Sequence, residues 1–473
     1  MLGGSTGEAQ KQPTAPIPAQ TIRFTVPVVE TPGIFVIARW VWALVRLLVL
    51  LPVRAPVTVA LVVSSALILD SGGWVPLAAS WTIAVAVLVL WWWRWPHTFC
   101  TRVALPALAK WRWLTNYRRH WQPVLVVAGL AESYQERRYL PRIRRVTCTE
   151  WADRVRVKIV PGTTPEDFQT RVDALAHGFA APSCRVHVNG ARDVTLEFPR
   201  RDTLAEPLDA LPVHSPVDLR GVAMGRTEEG DTWRLRLHGT HVLTVGVTGA
   251  GKGSVIWSAI RALTPAIGDG SVQVWAIDPK RMELSYGRPL FAHYADSGES
   301  AVDLLEQAVA RMQERAARYA GKQRTHTPSP TDPFVVVVVD EVAFLTAYHP
   351  DRDVRRRAEN AIATLTSQGR SVGVCVLAAL QDPRKEVMNL RNLFPDKIAL
   401  RLDEASQVDM VLGEGARERG ANAHLIDPYL PGVGFVKLEG SPVPVRVRAA
   451  FVTDEDIAAM AAQGLSSGRE VER

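Results

Sequence analysis

The chain has 473 residues, enough for about two or three domains, and 47% of them are hydrophobic, which supplies real cores and excludes a disordered protein. A formal charge of +7 and a pI near 9.4 point to an acidic partner, either a nucleic acid or the anionic face of a membrane. Cys100, Cys148, Cys184 and Cys375 lie far apart with no CxxC pair, which excludes a zinc site and a disulfide framework and fits a reducing compartment.

Residues 1–33 are polar and proline-bearing, without a basic stub followed by a short apolar run, and are expected to form a disordered tail rather than a cleavable signal. Residues 34–95 are expected to be a membrane anchor. IFVIARWVWALVRLLVLLPV carries Arg39 and Arg46, seven apart and hence nearly on one helical face, as in an interfacial or edge helix. PVTVALVVSSALIL (56–69) and WVPLAASWTIAVAVLVLWWW (74–93), separated by Asp70, Ser71, Gly72 and Gly73, predict a transmembrane helical hairpin; the second reaches the roughly 20 residues a bilayer core requires. Eleven of the fifteen tryptophans precede residue 125, and Trp91, Trp92, Trp93 and Trp95 end a span, where indole prefers the headgroup layer. Arg39, Arg46 and Arg54 precede the hairpin, and Arg94, Arg102, Lys110, Arg112, Arg118 and Arg119 follow it, while the connecting loop has no basic residue. That asymmetry predicts a multi-pass protein of the cell membrane with both termini in the cytoplasm. Residues 96–145, rich in Arg and Trp, read as a basic juxtamembrane linker suited to anionic lipid or to a phosphate backbone. In 146–220, the alternation of RVRVKIV, the helical RVDALAHGF and the strands CRVHVNG and DVTLEF give a small α/β module, with a connector marked by Pro207, Pro212 and Pro216.

From 221 to 455 strands and helices alternate, which predicts an α/β domain with a mainly parallel sheet covered on both faces. Strands are expected at 242–247, 272–277, 334–339, 373–379 and 397–402, with helices such as SAVDLLEQAVARMQERAARYA between them, and 456–473 as a C-terminal tail. HVLTVGVTGAGKGSVIWSAI reads as a phosphate-binding loop made by Gly246, Val247, Thr248, Gly249, Ala250, Gly251, Lys252, Gly253 and Ser254. Its glycines let successive N–H groups and a helix N-terminus face an anion, and Lys252 reaches the terminal phosphates of ATP. Against GxxxxGK[ST], only the last position departs: Gly253 stands there and Ser254 comes one residue late, so the hydroxyl that ordinarily ligates Mg2+ is misplaced. The run FVVVVV ends in Asp340 and Glu341, acids that emerge at the sheet's ligand edge to hold the metal and to activate water; strand-end acids are also common helix caps. VGVCVLAAL ends at Gln381, an amide able to sense a γ-phosphate or simply to satisfy a turn. Asp278 and Lys280 fall on the same edge, with no role fixed by their chemistry alone.

IDPKRMELSYGRPLFAHYADS, VVVVVDEVAFL, SQGRSVGVCVLAALQDP and KIALRLDEASQVDMVLGEGA resemble, in order, the motor blocks of FtsK/SpoIIIE-type double-stranded DNA translocases. The likeness runs from about residue 150 to 455 and includes VRVRAAFVTDEDIAAMAA at the motor's end. The resemblance implies a RecA-like P-loop ATPase that forms a homo-oligomeric, hexameric ring, threads duplex DNA and is tethered by N-terminal membrane helices. By position it assigns Lys252 and the loop glycines to ATP, Asp340 to Mg2+, Glu341 to water activation and Gln381 to sensing. A neighbouring subunit would supply an arginine, with Arg370 and Arg401 both open. Gly253, a compact anchor and a chain that stops soon after the motor, without the family's winged-helix reader, resemble the Tra-type proteins of actinobacterial conjugative elements. Directionality would then come from a separate DNA-recognition or transfer protein. A chromosome segregation pump, a type VII secretion-like protein-export ATPase and a non-hydrolysing scaffold are the rival expectations.

Overall fold

The structure is a computed structural model that describes residues 56–134, 137–384, 389–441 and 443–466. The expected tail at 1–33, the helix around Arg39 and Arg46, and residues 467–473 lie outside the described residues. The chain divides into two compact units, residues 1–99 and 100–473.

In the first unit, α1 (Pro56–Gly72) and α2 (Trp74–Arg94) are separated by Gly73, whose φ of 75° breaks the helix. Among the described residues α2 alone is long and apolar enough to cross a membrane, and none of its residues is buried. With 17 residues, α1 rises about 26 Å, short of a bilayer core of about 30 Å. Among the described residues there is thus one candidate span, and the expected two-span hairpin and multi-pass topology are not supported.

In the second unit the boundary of the small module differs from the sequence reading. Its antiparallel sheet comprises β1 (Arg142–Cys148), β2 (Ala152–Lys158), β3 (Arg185–Gly190) and β4 (Asp193–Pro199), in the order β1-β2-β4-β3. Its core takes in what sequence alone assigns to a linker: after α3 (Leu105–Arg112), Tyr117, Trp121 and Leu125, the last two on α4 (Arg118–Val127), pack with Phe168, Phe179 and Phe198. Tyr117 and Trp121 lie 5.3 and 5.5 Å from the Phe179 ring. Asp153, fully buried, accepts from Tyr117 Oη and Arg200 Nε at 2.9 Å and pairs with Arg112. Arg112 is thus an internal counter-ion rather than a free contact for lipid or DNA.

The larger domain is built on a ten-stranded sheet. Its strands are β5 (Val222–Thr227), β6 (Thr232–Leu235), β7 (Val242–Val245), β8 (Val272–Ile277), β9 (His293–Ala295), β10 (Phe334–Val339), β11 (Val374–Leu380), β12 (Asp396–Leu400), β13 (Val433–Lys437) and β14 (Val445–Ala449). They lie in the order β9-β8-β10-β11-β7-β12-β13-β14-β5-β6. From β9 to β12 every pairing is parallel, and from β12 to β6 every pairing is antiparallel. β10 is buried along its whole length: Val335, Val337 and Val339 enter one core layer and Phe334, Val336 and Val338 the other. That is why a run of valines, rather than an alternating pattern, marks a strand covered by helices on both faces. α5 (Lys252–Gly268) covers one face, and α6 (Gly298–Tyr319) and α7 (Arg352–Gln368) cover the other. The sequence-based tail at 456–473 begins inside α8 (Asp454–Ser466), which buries Ile457 and Met460 against the α5 layer.

One buried charge fastens α6 to the sheet. Arg315, 1% exposed, donates to the carbonyls of Val372, Gly373 and Pro333 at 2.6, 3.1 and 2.7 Å and pairs with Asp332 at 2.9 Å. Arg315→Leu leaves these acceptors without their donor inside the fold. We expect a loss of about 3 kcal/mol of stability, read as a lower denaturation midpoint in urea.

Candidate active site

Register brings the chemistry to one edge. Val245 stands opposite Leu380, and Ile277 opposite Val339, so the residues that follow these four strand ends emerge together. They are Gly246, Gln381, Asp278 and Asp340. β11 lies between the phosphate-loop strand β7 and the acid strand β10, which sets Gln381 between the loop and the acids.

The loop needs its glycines at two positions above all. Gly249 and Gly251 have φ of 75° and 94°, in the left-handed region, and a Cβ on Gly251 would meet Gly432 N at 2.2 Å. The loop then runs into α5, whose N-terminal N–H groups face the cleft. The Lys252 ammonium donates to the carbonyls of Gly246 at 2.7 Å and Val247 at 3.2 Å, so it is folded onto its own loop. Burial lowers its pKa, against the pull of Glu341, Asp340 and Glu283. Thr248 Oγ1 donates to Gln381 Oε1 at 3.3 Å, which joins the loop to this amide.

A cleft of about 590 Å3 opens over this edge. Thr248, Gly249, Gly251, Lys252, Gly253 and Ser254 line its phosphate end, and Lys280, Glu283, Asp340 and Gln381 line its acidic side. Pro207, Leu208 and Phe451 give it an apolar wall, and its size suits a nucleotide. Asp340 and Glu341 are 8% and 4% exposed. Glu341 Oε2 receives Lys280 Nζ at 3.3 Å, while its Oε1 has no hydrogen-bond partner. Burial, and then the carboxylates of Glu283 and Asp278, push Asp340 up to about 7. Burial and Asp278 likewise raise Glu283.

This donor set fits a hard divalent cation. Glu283 and Asp340 offer carboxylate oxygens to the cleft, and behind them Glu341 Oε1 and the Oδ1 of fully buried Asp278 are unpartnered. Among the described residues no three acids, histidines or cysteines converge on one point. Mg2+ at a nucleotide site takes one or two carboxylates, with phosphate and water completing its shell.

The two arginines separate. Arg401 Nη2 donates to Thr248 O at 3.2 Å, so Arg401 braces its own phosphate loop. Arg370 lies at the opposite edge, where it donates to Gly239 O at 2.9 Å and chelates Glu439. Neither is an uncommitted finger within this chain. The structure distinguishes them by strand end, because Arg401 follows β12 whereas Arg370 precedes β11. Glu283, Phe451, Pro207 and Leu208 are the cleft residues that sequence reasoning missed. Glu283 falls inside the DPKRMEL block already singled out for Asp278 and Lys280.

A parallel sheet with a glycine loop after one strand, paired acids after another and an amide between them defines a P-loop nucleoside triphosphatase. The chain is similar in sequence to FtsK-type DNA translocases. It is 27% identical over 315 residues to the DNA translocase FtsK of Halalkalibacterium halodurans, covering 60% of this chain and 38% of the relative. It is 28% identical over 342 residues to FtsK of Mycobacterium tuberculosis, covering 65% and 39%. The chain thus matches less than half the length of these curated relatives. No family model matches. Among solved structures it is similar to the pCW3 conjugation coupling protein TcpA, with TM-score 0.48, 16% identity, and coverage of 74% of this chain and 98% of that one. It is also similar to the cytoplasmic domain of the Thermomonospora curvata type VII secretion ATPase EccC, with TM-score 0.42, 21% identity, and coverage of 55% and 33%.

Proposed function

We propose that this chain is a membrane-anchored, ATP-driven translocase of double-stranded DNA, of the Tra type that serves conjugative transfer. The observation that carries the reading is the meeting of the phosphate loop, Asp340, Glu341 and Gln381 at one sheet edge, in a chain similar in sequence to DNA translocases. Lys252 leaves the loop carbonyls for the β- and γ-phosphates of ATP, and the α5 N-terminus receives their charge. Asp340 would hold Mg2+, which when bound supplies charge neutralisation at the transferring phosphoryl group. Glu341 orients the attacking water and accepts its proton, and Gln381, touching Thr248, reports the γ-phosphate to the loop.

Within a homo-oligomeric ring, a hexamer on this reading, Arg370 would serve a neighbour by leaving Gly239 O and Glu439, and Arg401 by leaving Thr248 O. Duplex DNA in the pore is held through its phosphates, with a separate protein setting direction. α2, with α1 beside it in sequence, anchors the motor to the cell membrane on the cytoplasmic side.

The test is ATP turnover by the full chain in detergent micelles, with and without linear duplex DNA at two salt concentrations. We expect duplex to stimulate turnover about tenfold or more at low salt, and the stimulation to fade steeply as salt rises. Turnover indifferent to duplex would instead favour protein export, and ring formation with no turnover would favour a scaffold.

A further inference from the structure

We infer that the groove between α3 and β1 seats an anionic phospholipid, whose headgroup charge meets a basic rim and whose glycerol and first methylenes enter an apolar floor. The inference rests on the membrane-anchored reading above and gives that anchor a second, lipid-selective contact outside the ATPase.

The groove has a volume of about 590 Å3 and lies at the edge of the small module's sheet, where β1 has a neighbouring strand on one side only. Leu105, Ala109 and Trp113 line it from the helix side, and Ile143 and Val146 line it from β1. Local sequence explains both walls. Leu105, Ala109 and Trp113 are spaced by four and so share one helical face. On β1 the pairing with β2 slips between Ile143 and Arg145, and the extra residue lets Ile143 and Val146, three apart, both pack on the module's core while Arg144 and Arg145 stay exposed.

The rim carries charge of one sign. Lys110, Arg144 and Arg145 border the groove, and among the described residues no acid lines it. Arg144 Nε lies 3.5 Å from Asp193 Oδ1, but Lys110 and Arg145 are exposed and have no ion-pair partner among the described residues. Nearby sequence supplies none either, because no Asp or Glu occurs between Asp70 and Glu132. Unpaired cations around an apolar depression complement a molecule that is anionic at one end and apolar at the other.

Two observations favour lipid over a nucleic acid backbone. Phosphodiester contacts use cations and polar donors, and gain nothing from Leu105, Ala109, Ile143 and Val146. Trp113 is 39% exposed and its neighbours Trp111 and Leu114 are 62% and 46% exposed, an indole-rich surface of the kind that headgroup layers receive. The tether is also short. Arg94 ends α2, the candidate span, and Thr101, which lines the groove, follows seven residues later, a length of chain that reaches at most about 25 Å. With α2 in a bilayer, the groove stays within reach of the headgroups.

Lipid selectivity tests this. The full chain is reconstituted in phosphatidylcholine vesicles with a trace of spin-labelled phosphatidylglycerol or spin-labelled phosphatidylcholine, and electron paramagnetic resonance reads the motionally restricted fraction of each. The parent should restrict phosphatidylglycerol about fivefold more strongly than phosphatidylcholine, and Lys110→Ser/Arg145→Ser should bring that ratio below about twofold. Both side chains are exposed and unpaired, so the double variant keeps the fold. Lys322→Ser/Arg324→Ser removes the same charge from exposed positions of the large domain and should leave the ratio unchanged. A floating parent that restricts the two lipids equally overturns the inference alone and leaves the groove to a second copy of the chain. A ratio that survives the groove variant, or falls equally in the control, overturns it as well. A parent ratio abolished by added linear duplex DNA assigns the groove to nucleic acid instead. A parent that does not float with the vesicles overturns the membrane-anchored reading and this inference with it.

Discussion

Glu341→Gln should leave ATP bound and stop its hydrolysis, lowering single-turnover rates by about 10²–10³-fold while the dissociation constant for ATP changes by less than about threefold. The side chain is nearly buried and keeps its volume on substitution, so packing at the end of β10 is preserved. Lys280 still finds an acceptor, because the amide oxygen can take the place of Oε2, which receives the ammonium at 3.3 Å. What disappears is the negative charge on this carboxylate, whose Oε1 has no hydrogen-bond partner. An amide there presents either an oxygen of negligible basicity or an N–H that repels the water's own hydrogens. The separation of binding from turnover is the informative part: a loss confined to turnover places Glu341 on the water, and turnover within about fivefold of the parent would remove it from that role. Asp340→Asn should differ in kind, because Asp340 sits among Glu283 and Asp278 and its removal weakens metal-dependent nucleotide binding as well.

The parallel half of the large domain was legible because its strands are buried on both faces. β10 and β11 can be read from β-branched and small apolar runs, and α6 from its 3.6-residue period and the Ser297 cap that accepts from Ser300 N. The antiparallel extension was not legible: β13, β14 and β5 are short, carry glycine or arginine, and depend on one another for edges. The stretch from 96 to 145 failed for a different reason. Its charge density suggested a surface linker, whereas Tyr117, Trp121 and Leu125, spaced by four, form a helical stripe. Its partners Phe168, Phe179 and Phe198 are remote in sequence, so the stripe had no local sign of burial.

The site was legible where chemistry follows chain order and illegible where the chain folds back. The phosphate loop, the strand-end acids and Gln381 all follow from the rule that ligands gather at the C-terminal edge of parallel strands. Glu283 does not, because its position depends on the turn that Asp278 ties to Leu284, and only the clash at Gly253 links the two residues. The departure of the loop from its usual pattern was visible as a missing hydroxyl; the carboxylate of Glu283 beside that position was not.

Lys252→Ala should abolish tight nucleotide binding, raising the dissociation constant for ATP by about 100-fold or more, equivalent to about 2.7 kcal/mol, and removing measurable turnover. Two losses add. The ammonium is the loop's cation for the terminal phosphates, and it also holds the carbonyls of Gly246 and Val247 at 2.7 and 3.2 Å, so its removal lets the loop relax from the conformation that fits an anion. Around it stand Asp340, Glu341 and Glu283, whose negative charge opposes a nucleotide once the lysine no longer offsets it. Lys252→Arg should not rescue the affinity, since a planar guanidinium is too broad for the carbonyl pocket that takes a point-like ammonium. Thermal unfolding read with and without saturating ATP provides the check. The parent should gain stability as RT ln(1 + [L]/Kd), and the alanine variant should lose that gain while keeping its own midpoint within a few degrees. A variant that keeps the ATP-dependent gain would place the nucleotide elsewhere and dissolve the site built around this loop.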